Sequence, residues 1–301
     1  MLSVVNLQAT LSHSVRLKVI YNPAAGRGRA RNHAREVERH LQALGAEFTM
    51  YASTSPADLM RAAAESSRAG ERVVVCGGDG TVNLAIRDFN LARGTLAIIP
   101  LGSGDDFARH LKIPREVSAA CEIAVRGNTR EVDIALANNL RYAGVAGLGF
   151  DSVVARYANE RVRFLRGSAV YLYATLRVLP SFTPRRVRIN GHEEELMFVV
   201  FANSPRYGGG FHIAPDASIT DALLDVCVVH QTSRFQLLKT LPRAYSGGHV
   251  KSSFVEMRRG AQFRVESEEP LDVYADGELL TQTPVTFCIA AEKLRIVAPN
   301  G

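Results

Sequence analysis

The sequence predicts an α/β protein of two domains, an open α/β domain followed by an antiparallel, β-rich sandwich domain. Its 301 residues, of which 47% are hydrophobic and 22% charged, suggest two domains more readily than one. Up to about Asp133, short apolar runs alternate with stretches of helical periodicity, which is typical of a parallel sheet covered by helices. After about Ala137, β-type segments follow one another closely, and this indicates an antiparallel second domain.

The first half is predicted to contain strands that are each followed by a turn-rich segment and a helix. The predicted strands are Leu17–Tyr21, Glu47–Ala52, Arg72–Cys76 and Leu96–Pro100. The predicted helices are Ala30–Leu44, Pro56–Ala69, Thr81–Phe89 and Val117–Arg126. Because ligands of such sheets bind at the carboxyl ends of the strands, the loops after these strands are the expected binding site.

The second half is predicted to consist mainly of strands, with helical interruptions where apolar residues recur at helical spacing. The predicted strands are Tyr142–Ala146, Arg185–Ile189, Leu196–Ala202, Leu223–Val229, Phe263–Glu266, Leu271–Tyr274 and Val285–Ile289. The predicted helices are Asp151–Asn159, Ser168–Leu179 and Phe235–Leu241. We expect residues 1–137 to form the first domain, residues 138–291 the second, and residues 292–301 to rejoin the first. The cleft between the domains is the expected substrate site.

Charge and composition limit the classes of partner and the cellular compartment that we expect. The net charge of +6 favours anionic partners, either nucleotide phosphates, anionic lipid headgroups or nucleic acid. Nucleic acid is the least expected of these, because the arginine clusters are not interleaved with aromatic residues. No apolar run reaches the roughly 18 residues of a membrane span, and no secretory signal is present, so we expect a cytoplasmic protein. The four cysteines are scattered, which predicts neither a zinc cluster nor disulfides.

Three strand ends are followed by loops that contain glycine. The first loop, Asn22–Gly28, lies between a strand and a helix, where glycines let backbone amides approach an anion; a plain strand-to-helix turn is the alternative. The second loop, Gly77-Gly78-Asp79-Gly80-Thr81, presents a single carboxylate among bare backbone. Nucleotide phosphates fit such a loop if a divalent cation bridges Asp79 and the phosphate. No Walker A or Rossmann glycine pattern accompanies it.

The third loop repeats this arrangement after the strand that ends at Pro100. Gly102 and Gly104 expose backbone around the hydroxyl of Ser103, and the carboxylates of Asp105 and Asp106 follow directly. These carboxylates are candidates to bind metal, a sugar hydroxyl or an acceptor alcohol. The alternative for Asp106 is that it only caps the short helix that follows.

Taken together, these motifs resemble the diacylglycerol kinase catalytic family, which includes bacterial lipid kinases and, more distantly, sphingosine and ceramide kinases. The landmarks are Asn22–Gly26, Gly77–Asn83, Ile98–Gly104, Gly147–Asp151, Asn203, Gly208–Gly210, Pro215 with Ala217, and Asp276–Glu278. The resemblance implies a first domain like those of NAD kinases and phosphofructokinases that binds ATP, and a β-rich second domain that holds a lipid. The implied reaction is transfer of the γ-phosphoryl group of ATP to a lipid hydroxyl, with Mg²⁺.

Carried over position by position, the resemblance implies roles for individual residues. The implied ATP contacts are Asn22, Pro23, Ala24, Ala25, Gly26, a hydroxyl at Ser53 or Thr54, Gly77, Gly78, Asp79, Gly80, Thr81, Val82, Asn83 and Ser103. Glu278 is the implied proton acceptor, although Asp-Gly-Glu is also an ordinary hairpin turn. Asp79 is expected to hold Mg²⁺ or the acceptor hydroxyl, assisted by Asp106. A structural magnesium site falls on Asp221 and the backbone carbonyls of Leu224 and Val226.

Some positions depart from the family pattern. Leu84 stands where glutamate is common, Gly144 where asparagine is usual, and Ala222 where glycine is usual, while Asp105 adds a carboxylate. Leu84, Asp105 and Ala222 leave open an ATP-binding regulatory protein with little or no turnover. A second alternative is an NAD kinase-like enzyme with a soluble acceptor, because the glycine-rich turn is common to both groups.

The expected partners are ATP and a lipid at a membrane surface. The basic and apolar stretch Arg156–Leu179 is consistent with peripheral contact at the inner membrane face, or with a core-packing helix that follows a solvated loop. A homodimer is a further prediction that the sequence leaves open.

Overall fold

The computed structural model describes residues 16–23, 29–162, 165 and 168–300. Its strands are β1 Leu17–Tyr21, β2 Phe48–Ala52, β3 Arg72–Gly77, β4 Thr95–Pro100, β5 Asn128–Val132, β6 Ala135–Ala137, β7 Leu140–Tyr142, β8 Val145–Gly149, β9 Arg185–Ile189, β10 His192–Ala202, β11 Leu224–His230, β12 Val255–Gly260, β13 Gln262–Glu266, β14 Asp272–Ala275, β15 Glu278–Gln282, β16 Val285–Ile289 and β17 Leu294–Ala298. Its α-helices are α1 Arg29–Ala43, α2 Pro56–Arg68, α3 Asp79–Ile86, α4 Asp106–His110, α5 Val117–Arg126, α6 Phe150–Arg161, α7 Ser168–Val178 and α8 Arg234–Ala244.

The first sheet has the order β2-β1-β3-β4-β17-β5. Its strands are parallel except β5, which is antiparallel to β17. Strand β3 is typical of the sheet: Val73, Val74 and Val75 are fully buried, because helices cover both faces of a parallel sheet. The four strands predicted for the first half are present, and strands β5 and β17 extend the sheet beyond them.

The second sheet contains eleven strands and is antiparallel. Its main path is β15-β14-β8-β10-β9-β13-β16-β6-β7, and β11 joins β10 to β12. One face closes around an aromatic core in which the rings of Phe201 and Phe287 stack with centroids 3.9 Å apart. Helices α6, α7 and α8 cover the other face, where they enclose a second apolar layer. The predicted combination of an open α/β domain and a β-rich antiparallel sandwich is therefore confirmed.

One predicted strand is wrong. The segment Tyr142–Ala146 is not a single strand, because β7 ends at Tyr142 and β8 begins at Val145. At the break, the backbone N–H of Ala143 donates to the side chain of Asn83, and that of Gly144 donates to the carboxylate of Asp276. Side chains from two other segments thus bond the amides that a continuous strand would use in a ladder.

The chain crosses between the two sheets at two adjacent places. After β5 it passes through Asp133 and Ile134, and before β17 it returns through Ala290 to Lys293. The crossings are joined by a hydrogen bond from the N–H of Ala290 to the carbonyl of Ile134, 2.8 Å, and by an ion pair between Lys293 Nζ and Asp133 Oδ1, 2.8 Å. The domain limits given above stay a prediction, but the last strand does lie in the first sheet. Within the described ranges, no helix is long and apolar enough to cross a membrane.

Candidate active site

A cavity of about 320 Å³ opens where loops of the first sheet face the helices of the second. Its mouth is lined by Gly78–Gly80 and Gly102–Gly104, which follow β3 and β4. Its interior is lined by side chains of α6, α7, α8 and neighbouring strands, most of them apolar. The apolar lining includes Val154, Phe198, Ile213, Leu237 and Phe254. The cavity therefore joins a mouth rich in backbone amides and carboxylates to an apolar interior.

The second and third loops touch each other at the mouth. A Cβ atom on Gly102 would lie 2.6 Å from the Cα of Gly78, so this approach requires glycine. Asp79 links the loops further, because its carboxylate accepts hydrogen bonds from the backbone N–H groups of Asp106, 3.1 Å, and Phe107, 3.0 Å. Asp79 thus caps helix α4 while it lines the cavity.

The two aspartates of the third loop have different surroundings. Asp105 adopts a left-handed backbone conformation with φ of 53°, and its buried carboxylate accepts from the N–H of Gly102 and from Arg115. It therefore holds the loop in shape. Asp106 is the first residue of α4, so the alternative that it caps this helix is wrong. Its carboxylate lines the cavity and accepts from the N–H of Gly209, 2.7 Å. Burial raises the pKa of both carboxyl groups.

The turn between β14 and β15 brings Glu278 to the second loop. Its Oε1 lies 3.5 Å from the position that a Cβ atom on Gly80 would occupy. Desolvation raises the pKa of the Glu278 carboxyl group, and the nearby positive charge of Arg87 opposes this shift. Residues 198 positions apart in the sequence, Gly80 and Glu278, are therefore neighbours at the cavity mouth.

Asp276, in the same turn, fastens the two domains together. Its carboxylate accepts from Asn83 Nδ2 of helix α3 and from the N–H groups of Gly144 and Val145, each at 2.9 Å. Desolvation and the nearby charge of Asp79 raise the pKa of Asp276 to about 7. Gly144 is required here, because a Cβ atom at this position would clash with the carboxylate. An asparagine side chain would not fit at position 144 in this arrangement.

Two family models together match nearly the whole chain. The model described as "Diacylglycerol kinase catalytic domain" matches residues 16–137, and "YegS C-terminal NAD kinase beta sandwich-like domain" matches residues 144–298. A diacylglycerol kinase of Mycobacterium tuberculosis (strain ATCC 25618 / H37Rv) is 31% identical over 297 residues, which cover 95% of this chain and 96% of that one. The chain belongs to the diacylglycerol kinase catalytic family. It is a lipid kinase, as its motifs predicted.

Other relatives agree with this assignment. A diacylglycerol kinase of Bacillus subtilis (strain 168) is 27% identical over 95% of this chain and 97% of its own. A crystal structure of a diacylglycerol kinase from Bacillus anthracis str. Sterne superposes with a TM-score of 0.71 at 21% identity, covering 94% of this chain and 97% of that one. A second structure from that organism reaches a TM-score of 0.80 at 25% identity with the same coverage. The fold of the kinase is thus shared along the whole length of its relatives.

The first loop of this kinase lies partly outside the described residues. Ala24, Ala25 and Gly26 are not described, whereas Asn22 and Pro23 directly follow β1. At the end of the neighbouring strand, the buried hydroxyl of Ser53 donates to the carbonyl of Tyr21, 3.2 Å. Thr54 is exposed and its hydroxyl donates to Asp58, 3.1 Å. Of the two hydroxyl groups proposed from the resemblance, that of Thr54 is therefore the one at the surface.

Some of the predicted nucleotide contacts line the kinase's cavity, and others lie away from it. Gly78, Asp79, Gly80 and Ser103 line the mouth. Gly77 and Val82 are buried in the core beneath it, and Thr81 is partly buried within α3. Asn83 is also buried, and both ends of its side-chain amide are used, one by Asp276 and the other by the N–H of Ala143. Asn83 thus joins the domains.

The kinase's cavity contains a second polar group, Asp151 with Tyr207, for which the sequence predicted no role. Asp151, at the start of α6, accepts a hydrogen bond of 2.6 Å from the hydroxyl of Tyr207, and burial raises the pKa of Asp151 to about 6. Tyr171 of α7 lines the cavity beside them, and burial raises its pKa to about 12. Asp151 stands in the Gly147–Asp151 landmark, which was the available signal for a role here.

The residues proposed for a structural magnesium ion do not fit a cation in this kinase. One carboxylate oxygen of Asp221 is paired with the guanidinium of Arg259, and the other accepts from the N–H of Leu223. Arg259 Nε also lies 3.5 Å from the buried carboxylate of Asp225. The carbonyls of Leu224 and Val226 belong to β11, which pairs with a strand on each side. A guanidinium therefore supplies the positive charge at this place.

Proposed function

We propose that this kinase transfers the γ-phosphoryl group of ATP to a hydroxyl group of diacylglycerol or a closely related lipid. The observation that supports the proposal is the continuity of the cavity: the loops suited to phosphate and the apolar interior suited to an acyl chain share one space. The first sheet with its loops would hold the nucleotide, and the second domain would hold the lipid. The hydroxyl that reacts would then sit at the mouth, between Asp79, Asp106 and Glu278.

The nucleotide phosphates would lie against Gly78–Gly80 and Gly102–Gly104. Bare backbone amides at these loops, and the N-terminus of the eight-residue helix α3, offer hydrogen bonds and positive potential to an anion. Asp79 would hold a divalent cation, and Mg²⁺ suits this site because it binds through one carboxylate together with phosphate oxygens. The described residues contain no group of three or more side chains able to hold a metal alone. When bound, the ion would neutralise charge that develops on the phosphoryl oxygens.

Glu278 would accept the proton of the lipid hydroxyl. It stands over Gly80 at the mouth, and its raised pKa makes it a better base than an ordinary surface carboxylate. Asp106, held by the N–H of Gly209, would orient the same hydroxyl from the opposite loop. In-line positioning and charge neutralisation carry most of the catalysis in phosphoryl transfer, so these residues position the reactants rather than form covalent intermediates.

The acyl chain would occupy the interior between α6, α7 and α8. Burial of an alkyl chain contributes about 0.8 kcal/mol per methylene group, so even a partly enclosed chain binds well. The hydroxyl of Tyr207 and the carboxylate of Asp151 are polar groups inside this otherwise apolar space. They would contact the glycerol or ester oxygens of the lipid and fix its depth.

Two of the helices that wall the cavity, α7 and α8, would also meet the membrane. Leu172 and Leu176 of α7 are 51% and 49% exposed, and Phe235 of α8 is 74% exposed. Neither Ser168–Val178 nor Arg234–Ala244 contains an acidic residue, and together they carry four basic ones. Exposed apolar side chains among basic residues favour peripheral contact with anionic bilayers. The lipid would then enter the cavity directly from the membrane.

The test of the reaction is incubation with labelled ATP and magnesium, in the presence of diacylglycerol, other lipid extracts, sphingosine or NAD. We expect label in diacylglycerol or a related lipid, and a loss of about 10²-fold or more in Glu278→Gln. Label that appears only in NAD would contradict the proposal. ATP binding with no labelled product from any lipid would instead support the regulatory alternative.

Membrane contact is tested separately with vesicles of phosphatidylglycerol and phosphatidylcholine. The double variant Leu172→Ser, Leu176→Ser should bind vesicles less and phosphorylate vesicle-embedded diacylglycerol more slowly. Its activity on a short-chain, water-soluble diacylglycerol should stay unchanged, because that substrate needs no membrane. An equal loss on both substrates would contradict the contact.

A further inference from the structure

A positively charged side chain lines the same cavity as the carboxylates of Asp79 and Asp106. Arg206 lines the cavity and is partly buried, on the segment between β10 and β11. Within the described ranges, no hydrogen bond or ion pair reaches its guanidinium group. Asp106, which lines the same cavity, pairs with Arg109, at 3.4 Å. A charge that is partly removed from water and lacks a counter-ion is costly, so such a group is commonly kept for a ligand.

Two histidines lie on the segments that meet where the N–H of Gly209 donates to Asp106. His110 is the last residue of α4, and His212 follows the glycines Gly208–Gly210. Burial, together with the charge of Arg206, lowers the pKa of both imidazoles. The charge of Asp216 acts on the pKa of His212 in the opposite direction. In the part of the chain that the structure describes, neither imidazole has a hydrogen-bond partner.

The backbone keeps this group next to the reacting centre. Gly208, Gly209 and Gly210 all have positive φ, from 63° to 120°, and the N–H of Gly209 donates to Asp106. The segment that carries Arg206 is thereby tied to the first turn of α4, and His110 lies at the other end of the same helix. The segment that carries Arg206 is thus fixed relative to the third loop.

We infer that Arg206 forms a subsite that binds a phosphate group at the cavity mouth. A guanidinium offers paired donors that match phosphate oxygens. The inference rests on the proposed function, because it assigns the subsite to a reactant of that reaction. The phosphate comes either from the nucleotide or from a phosphate-bearing lipid headgroup, and the two sources make different kinetic predictions.

The test uses Arg206→Gln and Arg206→Lys in the full chain, with Arg68→Gln on α2 as a control that removes the same charge away from the cavity. If the nucleotide supplies the phosphate, the KM for ATP should rise about tenfold or more in Arg206→Gln with diacylglycerol as acceptor. If a lipid headgroup supplies it, the KM for ATP should stay unchanged. The KM for an acceptor that carries a phosphodiester, such as phosphatidylglycerol, should then rise by the same factor. Arg206→Lys should recover part of either effect.

A measurement of phosphate binding tests this inference independently of the proposed reaction. Inorganic phosphate at millimolar concentration should raise the Tm of the wild-type protein and of Arg68→Gln, relative to chloride at equal ionic strength. In Arg206→Gln this rise should be lost, whether or not any lipid is phosphorylated. An unchanged phosphate effect in Arg206→Gln, together with unchanged KM values, would overturn the subsite. If Arg206→Gln fails to fold, Arg206→Met, which keeps the apolar stem, gives the same two measurements.

Discussion

The assignment of Asp79 is open to a sharp test, because this carboxylate has both a structural and a proposed catalytic role. Asp79→Ala removes two hydrogen bonds to the N-terminus of α4, at 3.1 and 3.0 Å. A lost helix cap of this kind costs about 1–3 kcal/mol, since the bonds are charge-assisted but the mouth admits water. At about 2–4 °C per kcal/mol, thermal unfolding should show the loss clearly.

Glu116 offers a matched control. It caps α5 through the N–H groups of Ser118, 3.0 Å, and Ala119, 2.7 Å, and it lies away from the cavity lining. Glu116→Ala should therefore lower the Tm by a similar amount and leave turnover intact. Asp79→Ala should lose activity by about 10²-fold or more at a temperature where both variants are folded, because the group proposed to hold the cation is gone.

One outcome for these two variants would refute a role of Asp79 in catalysis. If both are destabilised equally and Asp79→Ala still turns over at more than half the wild-type rate, then Asp79 is a helix cap and no more. A variant Asp79→Asn keeps one acceptor oxygen, so it should recover part of the stability without recovering activity.

Three further predictions follow from groups near the cavity and the junction. EDTA should not lower the Tm of the wild-type protein, because Arg259 supplies the positive charge beside Asp221. Arg259→Ala frees the carboxylate of Asp221, so this variant should gain stability on addition of Mg²⁺. A drop in wild-type Tm with EDTA would contradict the replacement of a cation by Arg259. Asp151 has a folded-state pKa of about 6, above its ordinary value, so its contribution to stability is present below about pH 4 and is lost as the pH rises through 6. The Tm of wild-type protein relative to Asp151→Asn should fall over that range, and a constant difference would refute this. Asn83→Ala leaves Asp276 without one donor and should cost about 1–3 kcal/mol in denaturant unfolding; a loss below 0.5 kcal/mol would speak against a domain fastening at this place.

Apolar periodicity located the strands that are buried on both faces but not those with polar sequences. Strand β3 was predicted almost to the residue, because Val73 to Val75 form a continuous apolar run bounded by glycine. Strand β5, Asn128–Val132, escaped prediction because four of its five residues are exposed and polar. Strand β12, Val255–Gly260, escaped for a similar reason, since charged residues interrupt it. Partner strands, rather than their own residues, determine that these segments are extended.

The residues of the candidate site differ in the same way: adjacent residues mark some of them in the sequence, and contacts across the fold determine the role of the others. The glycine loops and Asp79 were found from the sequence because adjacent residues carry the whole pattern. Glu278 was found only through the resemblance, and the structure places it over Gly80, although nothing local distinguishes it from an ordinary hairpin turn. Arg206 and Arg259 gave no signal, because their importance depends on which groups face them across the fold, and a single sequence does not contain that information.

The position of β17 has a consequence for how the protein is made. This strand, close to the C-terminal end of the described chain, lies between β4 and β5 in the first sheet. During synthesis, the first sheet therefore remains divided, with two unpaired edges, until Leu294–Ala298 has left the ribosome. Unpaired edges of this kind recruit other strands, so nascent chains that stall in the second domain are expected to aggregate or to engage chaperones. For the same reason, a fragment that stops near residue 137 should not fold as an independent unit.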